Sequence, residues 1–235
     1  MILFLGCSLT WGQGLQIEKW ISEGKTIDFC NINTEPAYDA GMYSYEDDEY
    51  RKEKHYPRLV SRELNCSYST QITNGGSNEN NVRLLDNIAK CKIGYEGAVE
   101  LTIVQFTDFT RELFYHEYIK DNHERVPHIK SYVLNQITHI DNITDGKWIG
   151  LSWPPEYSNV MKQYFPDKHI KIKQNDKTYN CIKDWLEKNK RTNLELCDKY
   201  DGVVDGHLSS EGHEVLAKSI LEKIKEQEVE FTKYN

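Results

Sequence analysis

The sequence lacks most of what would tie it to a metal, a membrane or a nucleic acid. Its six cysteines (Cys7, Cys30, Cys66, Cys91, Cys181 and Cys197) lie far apart, and none forms a Cys-x-x-Cys pair. Zinc sites are built from such short-spaced pairs, so a zinc centre is not expected. No apolar run approaches the roughly 18 residues of a membrane span. The apolar opening Met1-Ile2-Leu3-Phe4-Leu5 has neither the basic flank nor the length of an export signal. A cytoplasmic protein with reduced thiols is the expectation. Cations are in the minority: 29 Lys and Arg against 37 Asp and Glu leave a net charge of −8, and the cations are scattered. That balance disfavours nucleic acid and anionic membrane surfaces as partners. There is no repeat, no low-complexity tract and no linker, so residues 1–235 read as a single domain.

What is present points to a packed α/β chain. Hydrophobic residues make up only 38%, but aromatics make up 11%, which argues for a core rather than disorder. Short apolar runs alternate with segments of helical spacing, the pattern of a parallel sheet. Strands are expected at 2–5, 67–73, 99–106 and 147–153, the last stopped by Pro154-Pro155. Helices are expected at 57–64, with Pro57 in the first turn, after Asn78 with Val82, Leu85, Ile88 and Ala89 on one face, and at 179–189. The last helix should begin at Ser209 or Ser210 and bury Val215, Leu216, Ile220, Leu221 and Ile224. Residues 16–55 look irregular, and the acidic stretch Glu46-Asp47-Asp48-Glu49 within them reads as a solvated loop. Residues 112–146 read as an inserted region with helical spacing. Both are expected to be surface excursions of the domain.

Two distant segments carry the chemistry. Gly6-Cys7-Ser8-Leu9-Thr10-Trp11-Gly12 follows the first strand, so a tight turn would present the Ser8 hydroxyl at the strand's carboxyl end, the ligand-binding edge of open α/β sheets. Near the other end stands Asp205-Gly206-His207, followed by Gly212-His213. Ser8, His207 and Asp205 together supply a nucleophile, a base and an acid to orient the base. His213, one turn into the last helix, reads as a helix-face residue.

With Asn74-Gly75-Gly76-Ser77-Asn78 between them, these segments resemble, in order, the three sequence blocks of the SGNH, or GDSL-type, hydrolase family. The resemblance spans nearly the whole chain. It implies a three-layer α/β/α sandwich with a flavodoxin-like parallel sheet. It also implies hydrolysis of an ester-linked acyl group on a lipid, a glycan or a small molecule, through an acyl-serine intermediate and with no metal or organic cofactor. The oxyanion donors would be the Ser8 and Gly76 amides, Gly76 allowing close approach because it has no Cβ.

Three departures from the family pattern stand out. Cys7 occupies the position of a structural aspartate. The Asp-x-His spacing is one residue shorter than usual. The block after the third strand reads Gln105-Phe106-Thr107-Asp108-Phe109-Thr110-Arg111 and lacks the asparagine that donates to the oxyanion. Asn78, Asn74 and the Thr107 hydroxyl are candidates to replace it, and Arg111 is a candidate to bind an anionic substrate group. Each residue also has an ordinary alternative: a helix cap for Ser8 and Asn78, a turn for Gly76, a surface cation for Arg111, and core packing rather than an acyl pocket for Trp11. A catalytically weak carbohydrate- or protein-binding module and an acyltransferase remain the alternative functions.

Overall fold

Strand β1 (Ile2–Gly6) is buried at every position, and its side chains alternate between two cores. Ile2 and Phe4 enter one cluster, Leu3 and Leu5 the other. A strand with two buried faces belongs in the interior of a parallel sheet covered by helices on both sides. In the computed structural model, which describes residues 1–24, 44–72, 76–91, 99–108, 111, 126–192 and 206–232, β1 has that place. It pairs in parallel with β2 (Tyr68–Ile72) on one side and with β3 (Leu101–Phe106) on the other. Beyond β3 lies β4 (Trp148–Ser152), also parallel. The order β2-β1-β3-β4 is the beginning of the flavodoxin-like order. A single parallel bridge from Gly150 to His169 extends the sheet past β4.

Helices complete a three-layer α/β/α sandwich. On the face of Ile2, Phe4, Ile103 and Ile149 lie α4 (Tyr56–Leu64), α8 (Ile182–Lys188) and α9 (Ser210–Glu226), through Val60, Trp185, Leu216 and Ile220. On the face of Leu3, Leu5, Val104 and Trp148 lie α5 (Asn78–Cys91), α6 (Val126–Ile143) and α7 (Pro155–Tyr164), through Leu85, Ile137 and Met161. A short hairpin, β5 (Ile172–Gln174) with β6 (Lys177–Tyr179), precedes α8. The expected strands and the helices at 57–64 and after Asn78 are present within a residue or two. The last helix begins at Ser210, with the Ser209 hydroxyl accepting the Gly212 N–H at 3.1 Å. The start of the expected 179–189 helix is instead the end of β6.

Two expectations are corrected. The stretch 16–55 is helical at both ends, with α2 (Leu15–Ser22) and α3 (Tyr45–Lys54); residues 25–43 lie outside those described. The α3 helix has no apolar stripe for periodicity to detect. Its signal is a capping box, Ser44 with Asp47, plus ion pairs such as Asp48 to Lys52 at 2.7 Å and a charge order that suits the helix dipole. The acidic stretch is therefore the first turn of α3 rather than a loop. Asp47 is buried and paired with Lys19 of α2 at 2.8 Å. Residues 112–125 are likewise outside those described. The α6 helix, by contrast, buries Val133, Ile137 and Ile140 in the core and is a layer of the fold rather than an excursion.

Two histidines are buried beside α4: His55 at its junction with α3, and His213 on α9. His213 is fully buried, stacks on Tyr56 at 5.7 Å and accepts the Tyr56 N–H on Nδ1 at 3.2 Å. Burial, reinforced by the nearby His55, His207 and Arg51, holds its pKa well below the ordinary value. Burial, with Arg51 beside it, lowers His55 to about 3. Both rings therefore stay neutral in the folded chain at pH values where the unfolded chain, titrating near 6.5, takes up protons. Stability is fully present above about pH 6.5 and falls as pH drops toward 3, by at most about 1.4 kcal/mol per pH unit for each ring. The urea midpoint is expected to be lower at pH 5.5 than at pH 7.5; equal midpoints would contradict this.

Candidate functional site

The turn after β1 is built around a steric constraint. A Cβ on Gly6 would lie 1.9 Å from the Thr10 hydroxyl and 3.2 Å from Gln105 Cβ, so no larger residue fits. The chain then enters the one-turn helix α1 (Ser8–Trp11), with Cys7 as its N-cap in extended geometry. The helix closes at Gly12 in the left-handed region (φ 82°). Ser8 is thus the first helical residue, and the first amides of a helix have no intrahelical partner.

His207 arrives from the opposite end of the chain. Its position is set by the segment that follows it. Leu208 is fully buried in the core. The Ser209 N–H donates to the Thr192 carbonyl at 3.1 Å, and the Ser210 N–H donates to Glu18 Oε1 on α2 at 2.8 Å. Gly212 lies so close to Thr192 that a Cβ would come within 2.5 Å of its carbonyl oxygen. The outcome is a hydrogen-bond contact of 2.7 Å between His207 Nε2 and Ser8 Oγ, across 199 residues. Asp205 lies outside the described residues.

The two groups sit in a cleft of about 330 Å³ lined by residues that follow three strands: Cys7, Ser8 and Leu9 after β1, Thr107, Asp108 and Arg111 after β3, and Trp153 after β4, closed by Gly206 and His207. Because all four strands run in parallel, these loops share one edge, and the cleft opens where the order turns from β1 to β3, the switch point at which open α/β sheets bind ligands. Thr107 and Arg111 are therefore in the cleft with the Ser8–His207 pair.

Gly76 and Asn78 are both buried, and neither is among the described residues lining the cleft. Asn78 is bound to the backbone of Thr107: Oδ1 accepts the Thr107 N–H at 2.7 Å, and Nδ2 donates to the Thr107 carbonyl at 3.2 Å. It ties the start of α5 to the loop after β3. Trp11 lies away from the cleft lining, with the Arg51 guanidinium 4.1 Å above its ring in cation–π geometry.

Sequence reasoning missed three contributors. Trp153 lines the cleft, hidden next to the Pro-Pro stop that marked only a strand end. Glu18 fixes Ser210 across the fold. Gln105 is fully buried under the turn that carries Ser8, with Oε1 3.0 Å from Cys7 Sγ and Nε2 donating to the Phe106 carbonyl at 2.7 Å. A lone amide inside the apolar run Leu101–Phe106 was the signal for it, since a buried polar group needs partners.

No family model matches the chain, and no curated protein matches it. Among solved structures, the chain is similar to a carbohydrate esterase whose active site displays divergent catalytic and non-catalytic binding functions, at 13% identity over 97% of this chain and 68% of that one, with a TM-score of 0.48. It is similar to a family two carbohydrate esterase from Clostridium thermocellum in complex with cellohexaose, at 14% identity over 96% of this chain and 63% of that one, TM-score 0.46. It is also similar to the lipase Lip_vut3 from a goat rumen metagenome, at 13% identity over 94% and 96%, TM-score 0.42. Likeness at this level assigns neither activity nor substrate.

Asn78→Ala is expected to leave the buried Thr107 N–H and carbonyl without their partner. Urea unfolding should show a loss of about 2 kcal/mol or more; a loss under about 0.5 kcal/mol would mean that the clamp on Thr107 contributes little.

Proposed function

We propose that the chain is a serine ester hydrolase of the SGNH type, removing an ester-linked acyl group from a small molecule or glycan. The observation that carries this reading is the 2.7 Å contact between Ser8 Oγ and His207 Nε2 at the edge of a strand-end cleft. A serine hydroxyl is a weak nucleophile until a base takes its proton. In the proposed mechanism His207 accepts that proton on Nε2 as Ser8 Oγ attacks the acyl carbon. Asp205, two residues before His207 in the sequence, is assigned the role of orienting the ring and stabilising the imidazolium. The negative charge that develops on the carbonyl oxygen is met by the Ser8 N–H, at the start of α1. Asn78 serves the site by holding Thr107. His207 then returns its proton to the leaving alcohol, which departs and leaves an acyl-Ser8 ester. Water, deprotonated by the same ring, attacks that ester and restores the serine.

Arg111 is assigned to an anionic group on the substrate. It lines the same cleft and is exposed, so its charge is available to a ligand that enters. An Arg–carboxylate contact in a cleft is stronger than a neutral hydrogen bond.

Ser8→Ala and His207→Ala are each expected to lower kcat/KM on 4-nitrophenyl acetate by at least about 10³-fold with the fold retained. Activity at the unmodified level in either variant would refute the mechanism. Arg111→Ala is expected to reduce kcat/KM on the 4-nitrophenyl monoester of succinate about tenfold more than on the acetate, roughly the 1.4 kcal/mol of one charge-assisted contact. Equal losses on the two esters would rule out anion recognition by this residue.

A further inference from the structure

Cys7 caps α1 through its carbonyl, which accepts the Thr10 and Trp11 N–H at 2.9 and 3.1 Å, without any side-chain bond to the helix; its N–H and S–H lead instead to Gln105. Gln105 Oε1 accepts from the Cys7 N–H at 3.4 Å, from the Cys7 S–H at 3.0 Å and from the Thr10 hydroxyl at 3.4 Å, all within the buried interior. The amide end is fixed from the other side by its bond to the Phe106 carbonyl at 2.7 Å. Thr10 in turn lies 2.7 Å from the Tyr56 hydroxyl, and the Tyr56 N–H donates to His213 Nδ1. One continuous set of buried hydrogen bonds therefore runs from the nucleophile turn through β3 and α4 to the first turn of α9, six residues beyond His207.

The individual bonds at 3.4 Å are long, and their effect lies in converging on one oxygen that cannot move. The orientation of the Cys7–Ser8 peptide is set by the ψ angle of Cys7, −158°. That peptide carries the Ser8 N–H. A change in this angle swings the amide away from the cleft without displacing the Ser8 side chain by the same amount.

We infer that Gln105 is a positioning residue for the turn that carries Ser8: by accepting both Cys7 donors it fixes the Gly6–Cys7 amide and the thiol, and so anchors the residue whose next peptide presents the Ser8 N–H, doing from β3 what an acidic side chain at position 7 would do from within the turn. The inference rests on the reading of Ser8 as nucleophile. It explains how a turn with a thiol in that position keeps a defined geometry: the polar anchor stands on the adjacent strand.

Two measurements test it. Gln105→Met preserves the volume and removes both hydrogen-bonding ends. With circular dichroism and urea unfolding showing a folded chain, kcat on 4-nitrophenyl acetate is expected to fall roughly tenfold to hundredfold, with KM within about twofold, as for a misplaced transition-state donor. The second readout needs no esterase activity. Iodoacetamide alkylation of Cys7, mapped by mass spectrometry, is expected to be at least about tenfold faster in Gln105→Met, because a thiol's reactivity follows its partners and exposure. Alkylation at the unmodified rate overturns the inference whatever the activity. Faster alkylation with unchanged kcat also overturns it, by reducing Gln105 to a packing role. A chain inert toward esters and toward a fluorophosphonate would remove the esterase reading, while the alkylation contrast still decides whether Gln105 holds Cys7. If Gln105→Met does not fold, the pair Cys7→Ser and Cys7→Ala decides: the serine variant, which keeps a donor to Oε1, is expected to retain at least about fivefold more kcat, and equal rates contradict the inference.

Discussion

A strand without a polar face has to be covered from both sides, and Ile2–Gly6 is such a strand. Its alternating side chains feed two separate cores, which fixes both its register and its central place between β2 and β3. Once β1 is central and its neighbours are parallel, the chain leaving it emerges at the switch point of the sheet. Ser8 is the second residue after that exit. The site is a consequence of where β1 is held, and the segment leading into α9 brings His207 to it.

The geometry of the cleft depends on few contacts, most of them from residues outside its lining. His207 is held by the segment behind it, where Leu208 is buried and Ser209 and Ser210 bind Thr192 and Glu18. Thr107 is held by Asn78. The turn that carries Ser8 rests on Gln105, Thr10 and Tyr56. Buried polar groups satisfied in this way are expensive to break and admit few alternative arrangements, so they suit a site that must hold two distant groups within hydrogen-bond reach. The neutral His213 belongs to the same set, which links the stability of the interior to pH.

The fold was legible wherever burial wrote itself into the sequence. The apolar runs of β1, β3 and β4, and the stripes of α5 and α9, have the periods of the elements they form. The Gly-x-Ser turn and the late histidine were legible as a pair because each stands beside such an element. What stayed hidden had other causes. The α3 helix is held by a capping box and ion pairs rather than by an apolar face. The α7 helix, with Tyr157, Val160 and Met161 buried, gave no distinct signal after the Pro-Pro stop. Gln105, Glu18 and Asn78 act through partners dozens to nearly two hundred residues away, and a single sequence carries no sign of such pairings. Trp11, left between core and pocket by its sequence position, belongs beside Arg51.

The central claim is that Ser8 and His207 form one reactive unit, and labelling of the native chain with a fluorophosphonate followed by peptide mass spectrometry tests it most directly. The account predicts a single covalent adduct on Ser8 that disappears when His207 is replaced by alanine. A folded chain that leaves Ser8 unlabelled, or labels it equally well without His207, would contradict it.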